Sequence, residues 1–170
     1  MGIYNFNNTL DYFPIISAAM IVDMVGIILL KNGIIKSKSV EKWYSTYGFA
    51  AGIADVLSVV IVIIVVRFLY FKIFTKENLL YLIGLTVLVQ WVHDILFYLL
   101  FSSIPRGVSK IMDIFKDYAK ENGHSILVAD SLIMISTILL ATYFTTFNAN
   151  NNYILFIVAL YLIVYFLYSV

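Results

Sequence analysis

Five apolar stretches, each close to the length a helix needs to cross a bilayer, dominate the sequence: about 14–30, 48–71, 79–101, 125–147 and 153–168. A spanning helix takes about 20 mostly apolar residues, because each residue advances it about 1.5 Å through hydrocarbon about 30 Å thick. The first and fifth stretches are short, which suits a thin bilayer or helix ends that reach into the interface. Asp11 stands where a cap for the first helix belongs and Pro14 falls in its first turn. Thr75-Lys76-Glu77-Asn78 reads as the start signal of the third.

The composition leaves no soluble alternative. Residues of apolar type make up 62% of the chain and charged ones only 12%, and the mean hydropathy is +0.96. That is too little polar sequence to cover a soluble core. The expected fold class is therefore all-α, a polytopic transmembrane helix bundle of about five spans, with residues 1–170 forming a single membrane domain. A net charge of +1 with scattered basic residues excludes a nucleic-acid partner. The absence of Cys excludes disulfides and thiolate metal sites.

Lys and Arg set the expected orientation. The connection after the first span holds Lys31, Lys36, Lys38 and Lys42, and that after the third holds Arg106, Lys110, Lys116 and Lys120. The opposite side has only Arg67, Lys72 and Lys76. This bias places the N-terminus outside or in a lumen and the C-terminus in the cytoplasm. Between Arg106 and Glu121, Val108, Ile111, Met112, Phe115 and Tyr118 recur at helical spacing among charged residues. That is an amphipathic helix, which either lies on the membrane surface or docks a protein partner.

An internal repeat runs through the chain. Gly48-Phe-Ala-Ala-Gly-Ile-Ala-Asp55-Val-Leu and Gly123-His-Ser-Ile-Leu-Val-Ala-Asp130-Ser-Leu both place Gly seven residues before the Asp of an Ala-Asp-x-Leu motif. The preceding loops share Gly33-Ile-Ile-Lys36 and Gly107-Val-Ser-Lys110. Spans one and two thus match spans three and four as a tandem two-helix repeat, followed by a C-terminal helix. Copies that each cross twice are related by an axis along the membrane normal.

The repeat carries the feature of most chemical interest, one Asp in each of the first four spans: Asp23, Asp55, Asp94 and Asp130. Each lies five to eight residues from the cytoplasmic end of its helix, roughly 10 Å deep. No Lys or Arg falls at that depth. An ionised Asp at a helix centre costs about 2.5–3.5 kcal/mol, so four facing lipid would cost about 10–14 kcal/mol. They are expected to face the bundle interior, protonated, hydrogen-bonded or bound to a cation. His93 is the candidate proton relay or ligand, and Gln90, Ser58 and Thr137 are polar neighbours on usable faces. Buried polar residues also serve simply to hold helices together, each for about 0.6–2 kcal/mol.

The stretch Pro105-Arg-Gly-Val-Ser-Lys-Ile-Met-Asp-Ile-Phe-Lys-Asp-Tyr-Ala-Lys-Glu-Asn-Gly, with Ala129-Asp130-Ser131, resembles short multi-spanning membrane proteins of giant DNA viruses. The resemblance covers about Trp91 to Ala141. It implies a viral membrane protein of the virion's inner membrane and transfers no residue role. Three functions stay open. One is a proton or metal-cation channel or carrier built on the Asp layer, alone or as a homo-oligomer. Another is a structural viral protein whose Arg106–Glu121 helix docks a capsid or membrane partner. The third is a metal-dependent membrane enzyme, for which Asp94, Asp130 and His93 are the candidate ligands.

Overall fold

The computed structural model describes residues 3–168 as an all-helical chain, with no strand among them. A short 3-10 turn, Thr9–Asp11, leads into α1 (Tyr12–Lys31). There follow α2 (Lys38–Tyr47), α3 (Phe49–Ile73), α4 (Leu79–Ser103), α5 (Lys110–Asn122), α6 (Ser125–Phe144) and α7 (Ala149–Tyr168). Five of these are long and apolar enough to cross a membrane, and all five are the expected ones. In hydrocarbon a helix is favoured because it satisfies its own backbone polar groups.

The helix ends follow local chemistry. Asn78 caps α4, its side-chain oxygen accepting from the amides of Leu80 and Tyr81 at 2.9 and 3.3 Å. The fourth span stops at Phe144 rather than near 147. There the hydroxyls of Thr145 and Thr146 turn back onto the carbonyls of Thr142 and Tyr143, which competes with further helix. The fifth starts earlier than 153, because Asn148 accepts from the Asn151 amide at 2.8 Å and opens the helix there. Asp11 precedes α1 but does not cap it; its carboxylate is used elsewhere.

The spans α1, α3, α4 and α6 form a closed ring in which α1 and α4 each touch both α3 and α6. The fifth, α7, packs on the outside of the ring against α1 and α3. The core of the ring is built from Ile15, Ala18, Ala19, Val56, Ile63, Leu82, Met134 and Ile138, among others, all buried. Large apolar side chains such as Leu88, Leu96, Leu132 and Ile157 stay exposed, the pattern of helices whose outer faces meet lipid.

The repeat is visible in the backbone, and its unit is larger than two helices. Each copy is a span, a short amphipathic helix and a second span: α1-α2-α3 and α4-α5-α6. Ser37 and Ser109 cap α2 and α5, accepting from Val40 and Met112, at nearly identical angles (φ −145, ψ 112 and φ −138, ψ 118). Gly48 and Gly123 end them with φ +50 and +53, a conformation that side chains with a Cβ rarely adopt. The contacts obey the same relation, with α2 and α5 lying side by side where the two-fold would bring them. The pair of short helices sits at the end where both basic connections emerge.

The expected free amphipathic helix is therefore corrected. It begins at Lys110, and its apolar side packs within this chain. Ile114 is buried with Trp43 and Ala51, and Phe115 meets the rings of Trp43, Phe97 and Phe101. Ile111 on its outer side, and Val108 just before it, are left exposed.

Candidate functional site

The four spans of the ring bring Asp23, Asp55, Asp94 and Asp130 to one level, directly beneath α2 and α5. Asp23 and Asp55 are electrostatic neighbours, and Asp130 feels Asp55, Asp94 and His93. The four carboxylates thus form one connected group. None of them is fully buried: each is half-buried, with the Asp94 side chain 15% exposed. The expectation that the four Asp form a buried layer in the bundle interior is corrected in that respect. Helices α2 and α5 pack over the group, and it keeps some exposure.

The roof supplies the hydrogen-bond donors. From α2, the Trp43 indole donates to both oxygens of Asp55 at 3.2 and 3.0 Å, and the Tyr44 hydroxyl donates to Asp23 at 3.2 Å. From α5, Tyr118 stands nearest in charge to Asp130, then Asp55 and Asp94. Burial, followed by the Asp55 and Asp23 charges, raises the Tyr44 phenol above its ordinary value. Burial followed by the three nearby Asp does the same for Tyr118. Both phenols remain protonated at any physiological pH. Trp43 and Tyr118 occupy equivalent places in the repeat, each five residues before the helix-ending Gly. In sequence Trp43 and Tyr44 also fit an interfacial aromatic belt; the matching register of Trp43 and Tyr118 is the signal that points inward instead.

Asp94 has partners on its own helix. Gln90 donates to its Oδ1 at 2.6 Å, and His93 Nδ1 lies 3.3 Å from the same oxygen. The second oxygens of Asp23 and Asp94 are buried atoms that make no hydrogen bond within the protein. Ser58 is half-buried one turn from Asp55. Thr137 is fully buried on α6, about 10 Å beyond Asp130 at the helical rise.

Thr137 belongs to a wider set. Ser17, Thr86, Gln90 and Thr137 are all buried, and each lies on the side of the Asp level away from α2 and α5. The hydroxyl of Thr86 is satisfied by Leu82. Ser17 Oγ, Gln90 Oε1 and Thr137 Oγ1 make no hydrogen bond within the protein. Interior polar atoms are normally paired with protein or water, so three in one bundle are notable.

Arg67, counted from sequence among the charges of the opposite side, is instead buried within α3 at 1% exposure. Its Nη2 meets Asp11 at 2.9 Å and the carbonyls of Asn8 (3.0 Å) and Asn5, while the guanidinium lies 4.9 Å from the Tyr12 ring centre. With Ile3 and Tyr4 buried in the core, the N-terminal segment is tied into the bundle end opposite the roof.

Among the described residues no group of three or more His, Asp or Glu is placed to hold a metal ion. Asp94, Asp130 and His93, near one another, do not form such a group. Comparison with protein-family models, with curated proteins and with solved structures found no match.

Proposed function

We propose that this chain is a small membrane protein that moves protons through its helix ring, with Asp23, Asp55, Asp94 and Asp130 as the exchanging groups. The observation that carries the reading is the half-buried group of four carboxylates on the four ring helices, with no Lys or Arg among the described residues paired to it and His93 beside Asp94. Crowded carboxylates in a low-dielectric setting share protons rather than all ionise. Ionisable residues within spans mark proton or ion pathways more often than chance, since they are costly to keep there. Gln90, Thr137 and Ser17 extend the polar trail from this level toward the far end, and their unpaired oxygens suit bonding to water. Protons fit better than metal cations, because the carboxylates do not assemble three ligands around one point.

Trp43 and Tyr44 favour a second reading. Their bonds to Asp55 and Asp23 tie α2 to the spans, as a purely structural membrane protein would require, and the viral resemblance would put such a protein in a virion's inner membrane.

Proton flux into liposomes, read by an entrapped pH dye with the membrane potential clamped, separates the two. The proton reading expects flux above empty liposomes, lost in Asp94→Asn and Asp130→Asn and slowed in Thr137→Val while all three stay folded. Thr137→Val replaces an unpaired hydroxyl by a methyl, so a structural role predicts an unchanged or stabilised protein. Absence of flux in folded native protein overturns the proton reading.

A further inference from the structure

Where α4 ends and α5 packs against it, a cavity of about 380 Å³ opens to the surface, lined by none of the four carboxylates. Its lining is one-sided in charge: Arg106, Lys116 and Lys120 face it together with the Ser102 hydroxyl, and Tyr98 and Phe101 form its apolar wall. The cations are not spent on one another. Arg106 gives Nη1 to Asp117 at 2.8 Å, which leaves most of its donors free. Lys116 reaches the carbonyl of Ile104. Lys120 makes no ion pair among the described residues.

The surroundings say what the occupant looks like. Below the cavity, α4 offers a strip of exposed apolar residues, Ile95, Tyr98 and Leu99, each more than half exposed. A ligand with an anionic head and apolar tails matches both parts, its head among the cations and its tails along α4. Basic pockets between a span and an interfacial helix recognise acidic lipid headgroups in this way. We propose that this cavity is a binding site for the phosphate headgroup of an anionic phospholipid. The shared chemistry is a phosphate, but the continuous apolar strip commits the site to the lipid rather than to free phosphate.

The test is a binding titration of the purified full chain by native mass spectrometry, with phosphatidylglycerol, phosphatidylcholine and inorganic phosphate in separate arms. Phosphatidylglycerol should bind preferentially. Arg106→Gln with Lys120→Gln should weaken it about 30-fold, at the usual contribution of a basic residue beside an acidic membrane. Arg106→Lys with Lys120→Arg should keep it within a few-fold. Lys72→Gln with Lys76→Gln, at the other end of the bundle, should leave it unchanged. If the double Gln variant does not fold, Lys120→Gln alone should cost about fivefold. Equal binding of the two lipids, or a Gln variant that binds as the native chain does, overturns the site. Inorganic phosphate that competes fully with phosphatidylglycerol at the same affinity overturns the lipid assignment.

Discussion

Replacing Arg67 by Met should unfold the N-terminal end of the bundle more than the size of the change suggests. The guanidinium is 1% exposed and Asp11 only 6%. Removing either partner therefore leaves a charge in a place that water barely reaches. In such pairs the loss of one partner costs about 3–5 kcal/mol. Arg67→Met leaves Asp11 with Asn8 Nδ2 at 2.8 Å as its remaining donor. Asp11→Leu leaves Arg67 with the carbonyls of Asn5 and Asn8. In the double variant no charge is stranded; those two carbonyls and the Asn8 Nδ2 lose a partner, for about 1 kcal/mol each. The double variant should thus be more stable than either single one, with a coupling of about 3 kcal/mol or more. Unfolding by titration with a denaturing detergent, followed by the fluorescence of Trp43 and Trp91, measures all four corners of the cycle. Costs that add to within about 0.5 kcal/mol would refute the buried pair.

Other consequences are local. Glu121 of α5 holds the start of α2, accepting from the amides of Lys38 and Ser39 at 2.7 and 2.9 Å and from the Ser37 hydroxyl at 3.2 Å. Those bonds, the Ser39 ones largest, pull its carboxyl from 4.5 down to about 2. A depressed carboxylate contributes fully above its unfolded value and loses that contribution as pH falls toward the folded one. Amide exchange at Lys38 and Ser39 should therefore be protected near neutrality and lose protection between about pH 4.5 and 2; Glu121→Gln should remove that pH dependence. Gly48→Ala and Gly123→Ala both force a Cβ onto positive φ, but only at Gly48 does the new atom also meet the Tyr168 ring. Thermal melts should rank Gly48→Ala below Gly123→Ala, each by about 1–3 kcal/mol from the backbone alone, and Tyr168→Ala should narrow the gap.

The spans were legible because they rest on one strong regularity, apolar runs of membrane length; the four Asp fall at matching offsets from the basic ends, but their burial was not to be read from those offsets. What escaped was set by short-range or pairwise chemistry. Helix α2 is ten residues long and largely polar, so hydropathy passes over it; its Ser37 cap and Gly48 stop were present but unused. Missing it made the repeat a pair of helices rather than three. Arg67 lies six residues before the end of α3 and read as an interface charge, since nothing in sequence couples it to Asp11, 56 residues away. The partial exposure of the carboxylates depends on how the helices pack around them, a tertiary fact that no helical period encodes.

Water should reach the level of the four carboxylates from the α2 and α5 end alone, since Arg67, Asp11 and the buried Ile3 and Tyr4 fill the other end of the bundle. The chain has no Cys, so single Asp23→Cys, Asp55→Cys, Asp94→Cys and Asp130→Cys variants in sealed vesicles can each be tested with a charged, membrane-impermeant thiol reagent applied from either side. Labelling at all four positions from the α2 and α5 side, and at none from the side closed by Arg67 and the N-terminal segment, is the predicted result. Labelling from the opposite side, or at none of the four in folded protein, would contradict it.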